Sequence, residues 1–138
     1  MNAAKLFTDF GFALLYVVII DLAMIMLIMR KRFGKMILSI QREPMRLRII
    51  PAILCYLVLA FGIAYFVMPN IRDDHVAEDA ARWGLVWGVM VYAVYDLTNL
   101  ATLSNYEVKT ACIDVIWGGV LGFMTVLCTQ YTVKNIKI

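Results

Sequence analysis

The sequence predicts an all-α integral membrane protein, with four transmembrane helices and a short amphipathic interfacial helix in the first cytoplasmic loop. Three observations carry this. Of 138 residues, 63% are hydrophobic, and the mean hydropathy of +0.80 is far above that of soluble domains. Four apolar runs each approach the roughly 20 residues that a helix needs to cross about 30 Å of hydrocarbon. Nearly all charges fall in the connections, one basic and another acidic. The length suits one unit, so residues 1–138 are read as a single four-helix transmembrane domain.

The first span covers about Phe7 to Met29, and its mid-span charge is Asp21. MRKRFGK follows it rather than a small-residue cleavage site, so the span is retained. Arg30, Lys31, Arg32, Lys35, Arg42, Arg46 and Arg48 come next, seven of the thirteen basic residues. A basic run between two apolar spans is what a cytoplasmic loop carries, and no nucleic-acid partner is expected. Within it Phe33, Met36, Ile37 and Ile40 recur at i, i+3, i+4 and i+7. That spacing predicts an amphipathic helix on the membrane surface, ended by Pro44.

The second span covers about Ile49 to Met68, with Pro51 in its first turn, where a missing N–H does no harm. Pro69 and Asn70 stop it. The loop from Pro69 to Arg82 sets Asp73, Asp74, Glu78 and Asp79 against Arg72 and Arg82, so it faces the other side. The third and fourth spans cover about Trp83 to Leu103 and Thr110 to Val133, joined by a cytoplasmic turn at Ser104–Lys109. Both termini are then outside, in a plasma or inner membrane. A short polar tail, KNIKI, closes the chain.

Two carboxylates interrupt the third and fourth spans. Asp96 lies nine residues before Asn105 and Asp114 nine after it. In a helical hairpin both then lie about 13 Å from the turn. An ionisable side chain at that depth costs at least roughly 2.5–3.5 kcal/mol on insertion scales. Asp21 is nine residues before Arg30, and Tyr56 eight after Arg48. Asn99 is one turn from Asp96 on the same face. One layer therefore collects a carboxylate or hydroxyl from each helix. Gly84 and Gly88 share an i, i+4 ridge with Tyr92 and Asp96; Gly118 and Gly122 share one with Asp114. Such small-residue ridges let helix backbones approach closely. Counting from Asn105 puts Gly88 level with Gly122.

Other chemistry finds no support. Cys55, Cys112 and Cys128 sit in apolar stretches without CxxC spacing, and the one histidine, His75, is in a loop. No metal set, cofactor motif, phosphate loop or nucleophile–histidine pair is present, so no metal and no cofactor is expected. Trp117, one turn from Asp114, is placed either to line a ligand cavity or to pack between helices.

Asp21, the stretch YDLTNLATL at Tyr95–Leu103 and DVIWG at Asp114–Gly118 follow in an order and spacing that resemble a family of small four-helix predicted membrane proteins, domain of unknown function 2177. The resemblance covers nearly the whole chain. It implies the four-helix fold and a polar signature of Asp21, Tyr95, Asp96, Thr98, Asn99, Asp114 and Trp117. It implies no mechanism. Ala23 and Met24 follow Asp21 where relatives often carry a tryptophan.

The functional expectation is a transporter or channel-like protein whose acidic layer binds or conducts protons or a small cation. Its ion- or ligand-binding residues are Asp21, Tyr56, Tyr95, Asp96, Asn99, Asp114 and Trp117. Four helices enclose little space, so a homo-oligomer is expected in the lipid bilayer. One alternative is a protein that binds or modifies a lipid, with Asp96 or Asp114 as acid or base. The absence of a nucleophile weighs against an enzyme. The other alternative is a structural or partner-binding protein.

Overall fold

A computed structural model describes residues 2–136. Met1 lies outside them, as do Lys137 and Ile138 of the polar tail. The four apolar runs form four long helices: α1 (Ala3–Gln41), α2 (Ile49–Asn70), α3 (Val76–Thr102) and α4 (Val108–Ile136). The shortest, with 22 residues, is about 33 Å long at 1.5 Å per residue, and all four are apolar enough to cross a membrane. The fold is therefore all-helical, with four candidate spans.

Three helices run past the limits that charge and proline mark in the sequence. α1 and α3 do so through a wider, π-type turn, at Ile25–Met29 and Ala80–Gly84; α2 has such a turn at Ile63–Val67 and ends in a tighter 3-10 turn at Met68–Asn70. The amphipathic helix is present over Arg30–Gln41, continuing α1 beyond the first of these turns. Its apolar face meets protein rather than lipid alone. Phe33, Met36 and Ile40 pack against Leu100, Tyr106 and Ala111, at the turn between α3 and α4. Met36 is only 1% exposed, because Tyr106 and Ala111 offer it an apolar surface. α1 ends where Arg42 takes a left-handed conformation, φ 59°, and donates its N–H to the Leu38 carbonyl at 3.0 Å. The stop thus comes ahead of Pro44.

α1 and α4 form the middle of the bundle, with α3 against α4 and α2 against α1. Ala13, Val17, Ala60, Ile63, Leu121 and Val126 make the apolar core between them. Large side chains such as Leu27, Val58, Val94 and Leu97 remain exposed on the outer surface. An apolar surface that broad is suited to lipid.

The acidic loop is fastened to α4 by Gln130 and Lys134, which donate to Asp73 Oδ1 at 2.7 Å and to the Asp73 carbonyl at 3.0 Å, and within itself by Arg72 and Asp79. Arg72 donates from its backbone N–H and from Nε to Asp79 Oδ2, both at 2.9 Å, and from a terminal nitrogen to Oδ1 at 2.8 Å. Asp79 lies on the polar first turn of α3, ahead of the apolar run that starts at Trp83. The Arg72 hydrogen bonds hold its carboxyl down to about 2, from an ordinary 3.8. A group depressed in the folded state stabilises above its unfolded value, and that stability is lost as pH falls through the folded one. Thermal melting in detergent should therefore separate wild type from Asp79→Asn above about pH 4. The gap should close as pH falls towards about 2. An equal gap at every pH would mean that the charge of Asp79 is not what holds the loop.

Candidate functional site

The glycine ridges let α3 and α4 touch backbone to backbone. A Cβ on Gly88 would strike the Gly118 carbonyl oxygen, and one on Gly122 would strike that of Gly84. A Cβ on Gly84 would lie 2.8 Å from the Gly122 oxygen. Gly118 faces both Gly88 and the Tyr92 ring, and Gly122 faces both Gly84 and Gly88. Gly88 and Gly122 are thus not level. Each glycine of α4 falls between two positions of the α3 ridge, because ridges pack into grooves rather than onto each other. The same interleaving sets Asp114 between Tyr92 and Asp96, about half a turn from the equal depth that counting gives.

Asp21 is held by three neighbours from three helices. Tyr56 of α2 donates its hydroxyl to Oδ2 at 2.8 Å. Trp117 of α4 donates Nε1–H to Oδ1 at 2.9 Å. Tyr92 of α3 reaches Oδ1 at 3.5 Å, a long contact. Asp21, Tyr56 and Trp117 are therefore brought together. Three donors and a buried position suit a carboxylate, which only accepts.

Asp96 is fully buried and differently served. Tyr106 donates its hydroxyl to Oδ1 at 2.8 Å, and Asn99 sits beside the same hydroxyl. Burial, followed by the bond to Asp96, pushes the Tyr106 phenol above its ordinary range. Asp96 Oδ2 is buried without any donor. The Asp114 carboxyl lies within hydrogen-bonding reach of Asp96, and Tyr92 neighbours both Asp114 and Asp21. Two carboxylates cannot bond each other unless one carries a proton, and buried like charges disfavour double ionisation. No lysine or arginine occurs in the apolar runs to offset them.

Tyr95 is not part of this cluster. It is 53% exposed, on the outward face of α3. Thr98 is also exposed and gives its hydroxyl to the Val94 carbonyl of its own helix at 2.6 Å.

Three participants were not legible as such in the sequence. Tyr106 belongs to the turn, Tyr92 read only as packing, and Met36 read as lipid-facing. Met36 Sδ in fact accepts the Glu107 N–H at 3.3 Å, which seats the Arg30–Gln41 segment over the end of the hairpin. A further buried acid is Asp9, whose Oδ2 takes a hydrogen bond from Lys5 at 2.6 Å. Its spacing from Ala13, Val17 and Asp21, four residues at each step, is the signal that could have found it.

Among the described residues no group of three or more His, Cys, Asp or Glu is placed to hold a metal ion. Asp96 adjoins Asp114, whereas Asp21 is taken up by Tyr56 and Trp117.

Residues 6–131 match the family described as "Predicted membrane protein (DUF2177)". The chain belongs to that family. No curated protein matches it, and no solved structure does.

Proposed function

We propose that this member of the DUF2177 family binds a proton between Asp96 and Asp114 and exchanges it with the side of the membrane that holds the basic connection. The observation that carries the reading is Asp96 Oδ2, fully buried, without a donor, and beside a second carboxyl. A shared proton would satisfy both groups at once. A chelated metal ion would ask for ligands converging on one point, a demand that a proton does not make. Asp21, already served by Tyr56 and Trp117, stands outside that pair.

Asp96 is six residues from the end of α3 and Asp114 six from the start of α4, about 9 Å along each helix. Tyr106, Phe33 and Met36 cover that approach. The opposite direction is closed by the glycine seam and by Val17 and Leu121. There a cavity of only about 10 Å³ remains, room for one water at most. Transfer across the whole membrane would therefore call for more than one copy of the chain.

The test is flux into liposomes that contain the purified protein. An imposed proton gradient should dissipate faster through wild type than through empty liposomes, and sodium and potassium should not move. Asp96→Asn and Asp114→Asn should fall to the empty-liposome rate. Wild type indistinguishable from empty liposomes would defeat transport as the outcome of binding.

A further inference from the structure

The basic segment carries a second feature on the opposite side of α1 from Met36. An open, shallow groove of about 510 Å³ runs along it, lined by this one helix face alone. Met26 and Leu27 line one end, Arg30 and Lys31 come one turn later, Gly34 and Lys35 one turn after that, and Leu38 closes it. Met26 and Leu27 are strongly exposed and belong to the apolar run. The cations begin where that run stops. A Cβ on Gly34 would meet nothing within 4 Å, so the groove is open at its middle.

The three cations lack protein partners. No acidic residue occurs between Asp21 and Glu43. Among the described residues, the ion pairs are made by Lys5, Arg72 and His75 and by none of Arg30, Lys31 or Lys35. An occupant that fits must bring negative charge at the level of Arg30 to Lys35 and an apolar chain that reaches a helical turn deeper. We infer that this groove binds the headgroup of one anionic phospholipid, with Arg30, Lys31 and Lys35 on its phosphate and its acyl chain along Met26 and Leu27. Lys and Arg clusters just past the end of a transmembrane helix attract anionic lipid headgroups. The inference does not rest on proton binding.

The test is titration of the detergent-solubilised full chain with phosphatidylglycerol and with phosphatidylcholine of the same acyl chains, read by native mass spectrometry. Wild type should retain one phosphatidylglycerol and prefer it to phosphatidylcholine by about tenfold or more. Arg30→Gln/Lys31→Gln/Lys35→Gln should lose that preference. Gly34→Trp keeps every charge and fills the groove, so it should weaken binding by a similar factor. Arg46→Gln/Arg48→Gln lowers the net charge outside the groove and should bind as wild type does. Melting curves establish that each variant is folded. Equal binding of the two lipids overturns the inference, as does wild-type binding by Gly34→Trp or an equal loss in the Arg46/Arg48 variant. Inorganic phosphate and glycerol phosphate should not compete at lipid-like concentrations. If they do, the groove reads phosphate alone and the phospholipid assignment falls.

Discussion

Gly88→Ala should separate α3 from α4 and cost stability at or above the roughly 1–3 kcal/mol typical of overpacking. The obstacle in its way is the Gly118 carbonyl, a piece of helix backbone that no rotamer change can move. Relief requires one helix to shift, and the shift would carry Tyr92 off Gly118 and Asp114 away from Asp96. Gly122→Ala should behave alike, since its obstacle is the Gly84 carbonyl. Gly11 and Gly34 have nothing within 4 Å of a Cβ. Alanine there should leave stability unchanged or raise it by up to about 1 kcal/mol through helix propensity. Unfolding in mixed micelles measures all four. Equal effects at Gly88 and Gly34 would refute the close seam.

Asp96→Asn and Asp114→Asn should be coupled in stability by about 0.5–3 kcal/mol, as contacting residues are. Each single change supplies an amide N–H₂ that can donate to the remaining carboxylate, which then needs no shared proton. The double variant pairs two amides and removes the acid pair altogether. Its effect should therefore not equal the sum of the singles. Additivity within about 0.3 kcal/mol would mean that the two side chains do not meet.

Much of this arrangement can be read from charge and count. The distances from Arg30 and Arg48 place Asp21 and Tyr56 at one depth, and the hydroxyl does reach that carboxylate. Residue counting has no access to rotation about a helix axis. Tyr95 adjoins Asp96 in sequence, yet one step of about 100° along the helix turns it outward. Counting from Asn105 also treats facing residues as level, whereas packed ridges interleave, which moves Asp114 towards Tyr92. Tyr106 escaped because a turn residue reads as solvated. Its ring folds back under Met36, and its hydroxyl enters the layer from the end of the hairpin. The period of Phe33, Met36 and Ile40 identifies an apolar stripe, but periodicity does not say whether lipid or protein covers it. Asp9 is the third residue of the first apolar run, where a carboxylate would ordinarily meet water. α4 continues to Ile136 and α1 begins at Ala3, so the bundle extends past Asp9 and buries it.

The shared proton is the centre of this account, and infrared spectroscopy of the carboxyl groups tests it most directly. Protein reconstituted at neutral pH should show the C=O stretch of a protonated carboxylic acid, shifted in deuterated buffer. That band should disappear in the Asp96→Asn/Asp114→Asn variant and persist in Asp9→Asn. A wild-type spectrum at neutral pH with no protonated carboxyl band assignable to Asp96 or Asp114 would contradict it.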